Sequence, residues 1–165
     1  SVGGTVTNAV GGIGLASVKL TLAGARGTFT ATTALNGSYS IKGVPNGSYT
    51  LTPTRAGYSF SAASVQVTVD NSNITGQNFS GRQVFSVAGR ITKGAAGVSG
   101  IVVEVSGANG TFTATTSSLG YYTVTGVPAG SYTVTPTTSG HSYTPSSRSI
   151  TITTTNSSNQ NFSST

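Results

Sequence analysis

Three side chains in this sequence are of types that catalyse acid–base reactions or bind metals: Asp70, Glu104 and His141. They are the only two acids and the only histidine among 165 residues, and there is no cysteine. Glycoside hydrolysis needs two facing carboxyl groups, a catalytic triad needs a histidine beside an acid, and calcium prefers six to eight oxygen ligands. Too few such groups are present, so we predict no catalytic residue, no metal site, no cofactor and no enzymatic activity.

Asparagines followed by x-Ser or x-Thr form a second candidate chemistry, because this tripeptide accepts N-linked glycans in secreted proteins. Seven of the ten asparagines lie in such tripeptides. Two of them, Asn78 and Asn161, fall within predicted strands and are poorly placed for modification. The candidates for glycosylation are therefore the other five: Asn36, Asn46, Asn109, Asn73 and Asn156.

Aromatic side chains near a predicted corner form the third candidate site. Tyr58 and Phe60 stand in a Gly-Tyr-Ser-Phe segment, and Tyr143 stands in the corresponding Gly-His-Ser-Tyr segment. If half exposed, these rings would stack on sugar rings. The alternative is that they pack at the corner of the fold, and the sequence leaves both interpretations open.

The elements that must position these residues occur twice. Residues 27–33, Gly-Thr-Phe-Thr-Ala-Thr-Thr, return unchanged as residues 110–116, and the same offset relates Gly-Val-Pro, Gly-Ser-Tyr-Thr and Gln-Asn-Phe-Ser blocks. Identity across so many separate blocks indicates a tandem duplication of one folding unit. We expect one domain over residues 1–81, a short junction at 82–85 and a second domain over 86–165.

Hydrophobic residues alternate with polar ones throughout both copies, which is typical of half-buried strands. The polar positions are rich in β-branched threonine, which favours strand over helix. We predict an all-β fold of two tandem seven-stranded sandwiches. In the first copy the expected strands are 1–7, 16–23, 27–34, 38–43, 48–55, 63–70 and 75–80, and the second copy repeats the set.

The surface is expected to be rich in hydroxyl groups and almost uncharged. Only 6% of residues are charged, against roughly 25% in ordinary soluble domains, whereas 25 Ser and 29 Thr are present. The net charge of +6 comes from eight scattered basic residues rather than a dense stripe, so we predict no nucleic-acid partner. No apolar run reaches the roughly 18 residues of a membrane span.

One motif carries a family resemblance. Gly-x-Tyr-x-Ile/Val is followed by Gly-Val-Pro-x-Gly-Ser-Tyr-Thr and later by Gln-Asn-Phe, in both copies. This pattern resembles the carboxypeptidase regulatory-like domains, and it is similar to the B-type repeats of Gram-positive surface adhesins. The resemblance implies that the two tandem seven-stranded sandwiches are immunoglobulin- or transthyretin-like. It also implies a non-catalytic accessory or spacer module.

Together these observations favour a non-catalytic structural module, located extracellularly or on the cell surface of a prokaryote. We expect it to be a stalk or subunit of a surface fibre or adhesin, with copies of itself or other surface proteins as partners. The alternative is a carbohydrate-binding or spacer module of a larger secreted enzyme, with a polysaccharide as partner.

Overall fold

The computed structural model describes residues 1–165, and all of its regular elements are β-strands. The all-β prediction is therefore confirmed, and no helix is present that could cross a membrane. The strands are β1 (Val2–Asn8), β2 (Lys19–Gly24), β3 (Gly27–Thr32), β4 (Ser38–Ile41), β5 (Gly47–Thr54), β6 (Tyr58–Phe60), β7 (Val65–Val69), β8 (Phe79–Lys93), β9 (Ala96–Gly97), β10 (Val102–Gly107), β11 (Gly110–Thr115), β12 (Tyr121–Pro128), β13 (Gly130–Pro136), β14 (Tyr143–Thr144), β15 (Arg148–Ile152) and β16 (Phe162–Ser164).

The chain divides into two compact units, Ser1–Arg82 and Gln83–Thr165. In the first unit, one sheet has the order β3-β2-β5-β7, with all neighbours antiparallel. The other sheet joins β4 antiparallel to β1, and β1 parallel to the first residues of β8, with β6 also paired to β8. The two sheets of this unit carry the alternating apolar residues predicted from the sequence.

The core of the first unit lies between its two sheets, because both contribute buried side chains. Leu20, Leu22 and Leu51 from one sheet are fully buried, as are Val2 and Val6 from the other. Burying an aliphatic side chain of this size contributes about 1.5–3 kcal/mol. Tyr39, Tyr49 and Phe79 complete the cluster.

The second unit repeats this plan. One of its sheets has the order β11-β10-β13-β15, and the other joins β12, β8, β16 and β14, with β9 also paired to β8. Its core combines Val103, Val105 and Val134 with Val87 and Ile91, all fully buried. The equivalence of the two cores follows from the duplicated sequence, since the same alternation buries the same positions.

The structure corrects the predicted strand count and one boundary. Seven strands per copy omitted the short strands β6, β9 and β14, which have only two or three residues each. The strand expected at 75–80 begins only at Phe79, and β8 then continues to Lys93, so the expected junction at 82–85 has strand conformation. Asn78 and Asn161 precede β8 and β16 and do not lie within them.

A close backbone approach explains one glycine in each unit. A Cβ atom on Gly4 would lie 2.2 Å from the carbonyl oxygen of Gln77, and one on Gly89 would lie 2.1 Å from that of Gln160. No side chain fits at such distances, so glycine is required where β1 and β8 pass these carbonyls.

Candidate functional site

The structure does not bring the candidate catalytic residues together within one unit. Asp70 is exposed directly after β7 in the first unit, where its carboxylate accepts a hydrogen bond from Asn71 Nδ2 at 3.3 Å. In the second unit, Glu104 lies on β10, opposite Thr113 and Thr135, while His141 lies in the loop before β14. No group of three His, Cys, Asp or Glu residues forms a metal site.

The His141 side chain contacts one aromatic ring and one hydroxyl group. Its ring stacks on that of Tyr143, with centroids 6.0 Å apart, and its Nδ1 lies 3.0 Å from Ser164 Oγ. Neither partner is an acid that would orient the imidazole for catalysis.

The asparagines named for glycosylation are all exposed, and the structure shows what their side chains bind. Asn36 Oδ1 accepts hydrogen bonds from the backbone N–H and the hydroxyl of Ser38, at 3.1 and 2.8 Å. Asn46 is held more tightly, because its Nδ2 donates to Asn71 Oδ1 at 2.8 Å and its Oδ1 accepts from the Asn71 N–H at 2.9 Å. The exposed candidates are Asn36, Asn46, Asn73, Asn109 and Asn156.

The side chains of the other three asparagines form hydrogen bonds to residues that are distant in the sequence. Asn73 Oδ1 accepts from the amino-terminal ammonium group at 2.9 Å, and Asn156 Oδ1 accepts from the Ser86 N–H at 2.9 Å. Asn109 uses Nδ2, which donates to the carbonyl oxygen of Ala129 at 3.0 Å. A glycan attached to Nδ2 would leave the described Oδ1 bonds of Asn73 and Asn156 in place, but it would disturb the Nδ2 bond of Asn109.

The aromatic candidates lie in two different units, and all three are half-buried. Tyr58 and Phe60 belong to β6 and pack against the first core, and the Arg55 guanidinium covers the Tyr58 ring at 4.4 Å. Tyr143 belongs to β14, packs against the second core and donates its hydroxyl to the Thr138 carbonyl at 3.2 Å. Stacking of sugars on these rings stays a prediction.

Two exposed sheet edges have the same sequence. Strands β3 and β11 are both Gly-Thr-Phe-Thr-Ala-Thr, and each pairs with only one neighbour, β2 or β10. The threonines of both strands are exposed, while Phe29 and Phe112 turn back onto tyrosines of β5 and β13 in edge-to-face contacts. Each edge therefore presents unpaired backbone groups with no charged side chain.

Grooves occur at equivalent places in the two units. In the first unit, a groove of ≈ 420 Å³ is lined by small polar residues that include Thr5 and Asn78. In the second, a groove of ≈ 400 Å³ is lined by Arg90, Tyr121 and Asn161. Nothing in the sequence placed Arg90 and Tyr121 together in one groove.

Comparisons with known proteins give weak structural matches. The chain is 12% identical to the TIE protein of Bacillus anthracis, with 98% of this chain and 33% of that chain covered and a TM-score of 0.43. It is 14% identical to the minor pilin GBS52 of Streptococcus agalactiae, with 100% and 97% covered and a TM-score of 0.41. For a streptococcal ancillary pilin the identity is 16%, the coverages are 97% and 61%, and the TM-score is 0.42. The chain thus spans less than two thirds of two of these three proteins.

Among curated protein sequences, none matches this chain. A family model does match: the carboxypeptidase regulatory-like domain, over residues 1–80. That range is nearly the whole first unit, and it contains the first copy of the Gly-Val-Pro-x-Gly-Ser-Tyr-Thr motif that carried the resemblance. The resemblance is therefore confirmed for the first unit, which matches the model of the carboxypeptidase regulatory-like domain family.

Proposed function

We propose that this chain is a non-catalytic extracellular module that associates with copies of itself in a surface fibre or adhesin of a prokaryote. The nearly uncharged, hydroxyl-rich composition supports it, because surfaces with few charges lose little solvation free energy when they pack together. The assignment of the first unit to an accessory-domain family supports it as well.

The unprotected edges β3 and β11 are the observation that carries the proposal. Proteins that stay monomeric usually protect a sheet edge with lysine, proline, a β-bulge or a very short strand. Each of these two edges is six residues long and has no charge, no proline and no shift in register against its neighbour. Such an edge is suited to pairing with a strand of another chain.

Strand β12 of the second unit is also a sheet edge, but unlike β3 and β11 it has protective features. Its register shifts between Val124 and Val127, and it ends at Pro128, which has no N–H to donate. Of these two edges of the second unit, β12 has protective features and β11 has none. This difference supports β11, and its duplicate β3, as the surfaces where copies meet.

Adding a positive charge to each of the edge strands β3 and β11 tests the proposal. Thr30→Lys and Thr113→Lys each place an exposed ammonium group in the middle of one edge strand, where pairing would bury it or bring like charges together. We expect sedimentation velocity to show concentration-dependent assembly of the unmodified chain, and loss of that assembly in the double variant.

Ser72→Lys is the matched control, because it adds the same charge in an exposed loop of the first unit outside the strands. It should assemble as the unmodified chain does. Circular dichroism should be the same for all variants, since none of these side chains is buried. Assembly that survives in the Thr30→Lys, Thr113→Lys double variant would contradict edge pairing.

A further inference from the structure

Both units have a groove at the same place in the fold, and in the second unit some of the side chains around it are different. The backbone frame is the same: Asn78 Oδ1 accepts from the Thr5 N–H at 2.9 Å, and Asn161 Oδ1 accepts from the Arg90 N–H at 2.9 Å. The volumes are also close, at ≈ 420 and ≈ 400 Å³. The first unit therefore serves as an internal reference for what the fold alone requires.

Three side chains at or beside this groove are cationic or aromatic in the second unit and neither in the first. Where the first unit has Thr5, Ser38 and Val65, the second has Arg90, Tyr121 and Arg148 at the corresponding positions. All three replacements are larger, two are cationic and one is aromatic. Because the fold forms without them in the first unit, packing does not explain their presence.

Both arginines are oriented by the backbone. Arg90 Nε donates to the Leu119 carbonyl oxygen at 3.0 Å, and its guanidinium lies 5.0 Å from the centre of the Tyr121 ring. Arg148 Nε donates to the Asn161 carbonyl oxygen at 2.9 Å. Carbonyl partners hold a guanidinium in place without neutralising it, so both positive charges persist.

These two arginines line one groove. Arg90 and Arg148 share a groove of ≈ 340 Å³ with Thr144 and Ser163, and this groove adjoins the one at Tyr121 through Arg90 and Asn161. Lys93 is the only other basic residue of the unit. The only acid of the unit, Glu104, lies on β10, which β13 separates from the strand β15 that carries Arg148, and it lines neither groove. The combined surface is therefore locally cationic.

We propose that this surface, which we call the arginine groove, binds a polysaccharide that carries carboxylate groups. A guanidinium forms paired hydrogen bonds to a carboxylate, and two of them along one groove match the repeated charges of a polyuronic acid. The ring of Tyr121, 55% exposed, offers a face for a sugar ring. The hydroxyl and amide groups of Thr123, Ser158 and Asn159 line the same groove and suit sugar hydroxyls.

An acidic peptide fits this surface less well. Extended peptides are usually bound by adding a strand to a sheet edge, with pockets for alternate side chains. The arginine groove instead presents mainly side-chain hydroxyls and amides beside one exposed ring. It also uses residues other than β3 and β11, so the proposed assembly and the proposed binding can fail separately.

Calorimetric titration of the full chain with a galacturonic acid hexasaccharide tests the assignment, with neutral maltohexaose as the comparison ligand. The variants Arg90→Thr, Tyr121→Ser and Arg148→Val install the residues that the first unit carries, so the fold should tolerate them. We expect binding of the acidic oligosaccharide only, and a loss of about tenfold in affinity for each arginine variant, as for loss of a charge-assisted hydrogen bond.

Lys93→Ala removes a positive charge of the same unit outside the groove and should leave the affinity nearly unchanged. Grafting Thr5→Arg, Ser38→Tyr and Val65→Arg into the first unit should add a second binding site. Equal binding of maltohexaose, equal weakening by Lys93→Ala, or equally tight binding of a glutamate hexapeptide would each overturn the assignment to an acidic polysaccharide.

Discussion

Tyr39 and Tyr122 each combine a buried ring with a hydroxyl that ties down a distant loop. Both side chains are at most 7% exposed, and their hydroxyls donate to the carbonyl oxygens of Gln77 and Gln160. Those residues lie just before Phe79 and Phe162, at the start of strands that complete the sheets. The aromatic positions recognised in the repeated motif therefore also fix the loops that precede these strands.

Burial of the two hydroxyls predicts a loss of stability at alkaline pH. Desolvation raises the pKa of Tyr39 to about 12 from its ordinary value of 10.0, and it also raises the pKa of Tyr122. In the unfolded chain these phenols ionise near pH 10, whereas the folded state keeps them protonated. Their contribution is thus fully present below pH 10 and is lost as the pH rises towards 12.

Thermal unfolding followed between pH 8 and pH 12 measures this effect. The melting temperature should fall above pH 10 in the unmodified chain. A Tyr39→Phe, Tyr122→Phe double variant should start lower and lose less over the same range, because it lacks the two buried phenols. An equal alkaline loss in both proteins would show that other groups are responsible.

At the scale of elements, one buried threonine in each unit holds the segment before a central strand. Thr33 Oγ1 donates to the Leu15 carbonyl at 2.7 Å and accepts from the Val18 N–H at 2.9 Å. Thr116 repeats both bonds with Val98 and Ile101. Each threonine is 5% exposed.

Thr33→Val keeps the shape of this side chain but leaves two buried backbone groups without partners. We expect a loss of about 1–3 kcal/mol in the free energy of unfolding, measured by urea denaturation. Thr33→Ser retains the hydroxyl and should recover most of the loss. A valine variant as stable as the serine variant would show that this pair of hydrogen bonds does not hold the segment.

Sequence patterns predicted the long strands well and the local polar contacts poorly. Alternation of hydrophobic and polar residues identified strands such as β5 and β7, because it shows which face of a strand is buried. The second copy of the sequence shows the same alternation. Thr33 was missed because it stands among exposed threonines of the same strand region, and only three-dimensional packing distinguishes it. The short strands β6 and β14 are too brief to establish a period.

The sequence did not predict the arginine groove, and the reason is similar. Its residues 90, 121 and 148 are far apart in sequence. Pairing of β12 with β8 places Tyr121 opposite Arg90, and Arg148 on β15 reaches the carbonyl oxygen of Asn161 just before β16. Aligning the two copies shows that each of these three positions differs between them. The sequence does not show that the three side chains line neighbouring grooves.

At the scale of the whole molecule, each unit has its own core, which predicts independent responses to core mutations. Leu51 and the equivalent Val134 are both fully buried, on β5 and β13. Leu51→Ala should cost about 2–5 kcal/mol and raise amide exchange in residues 1–82, while Val134→Ala should act on residues 83–165. Hydrogen exchange with mass spectrometry separates the two, and faster exchange in both units from either variant would show coupled unfolding.

The proposed role of this chain is that of a subunit in a surface fibre. Negative-stain electron microscopy of native surface material, with gold-labelled antibodies against the chain, tests it most directly. If the chain is a fibre subunit, filaments should be labelled at regular intervals along their length. Labelled material consisting only of separate single particles, even at high concentration, would contradict it.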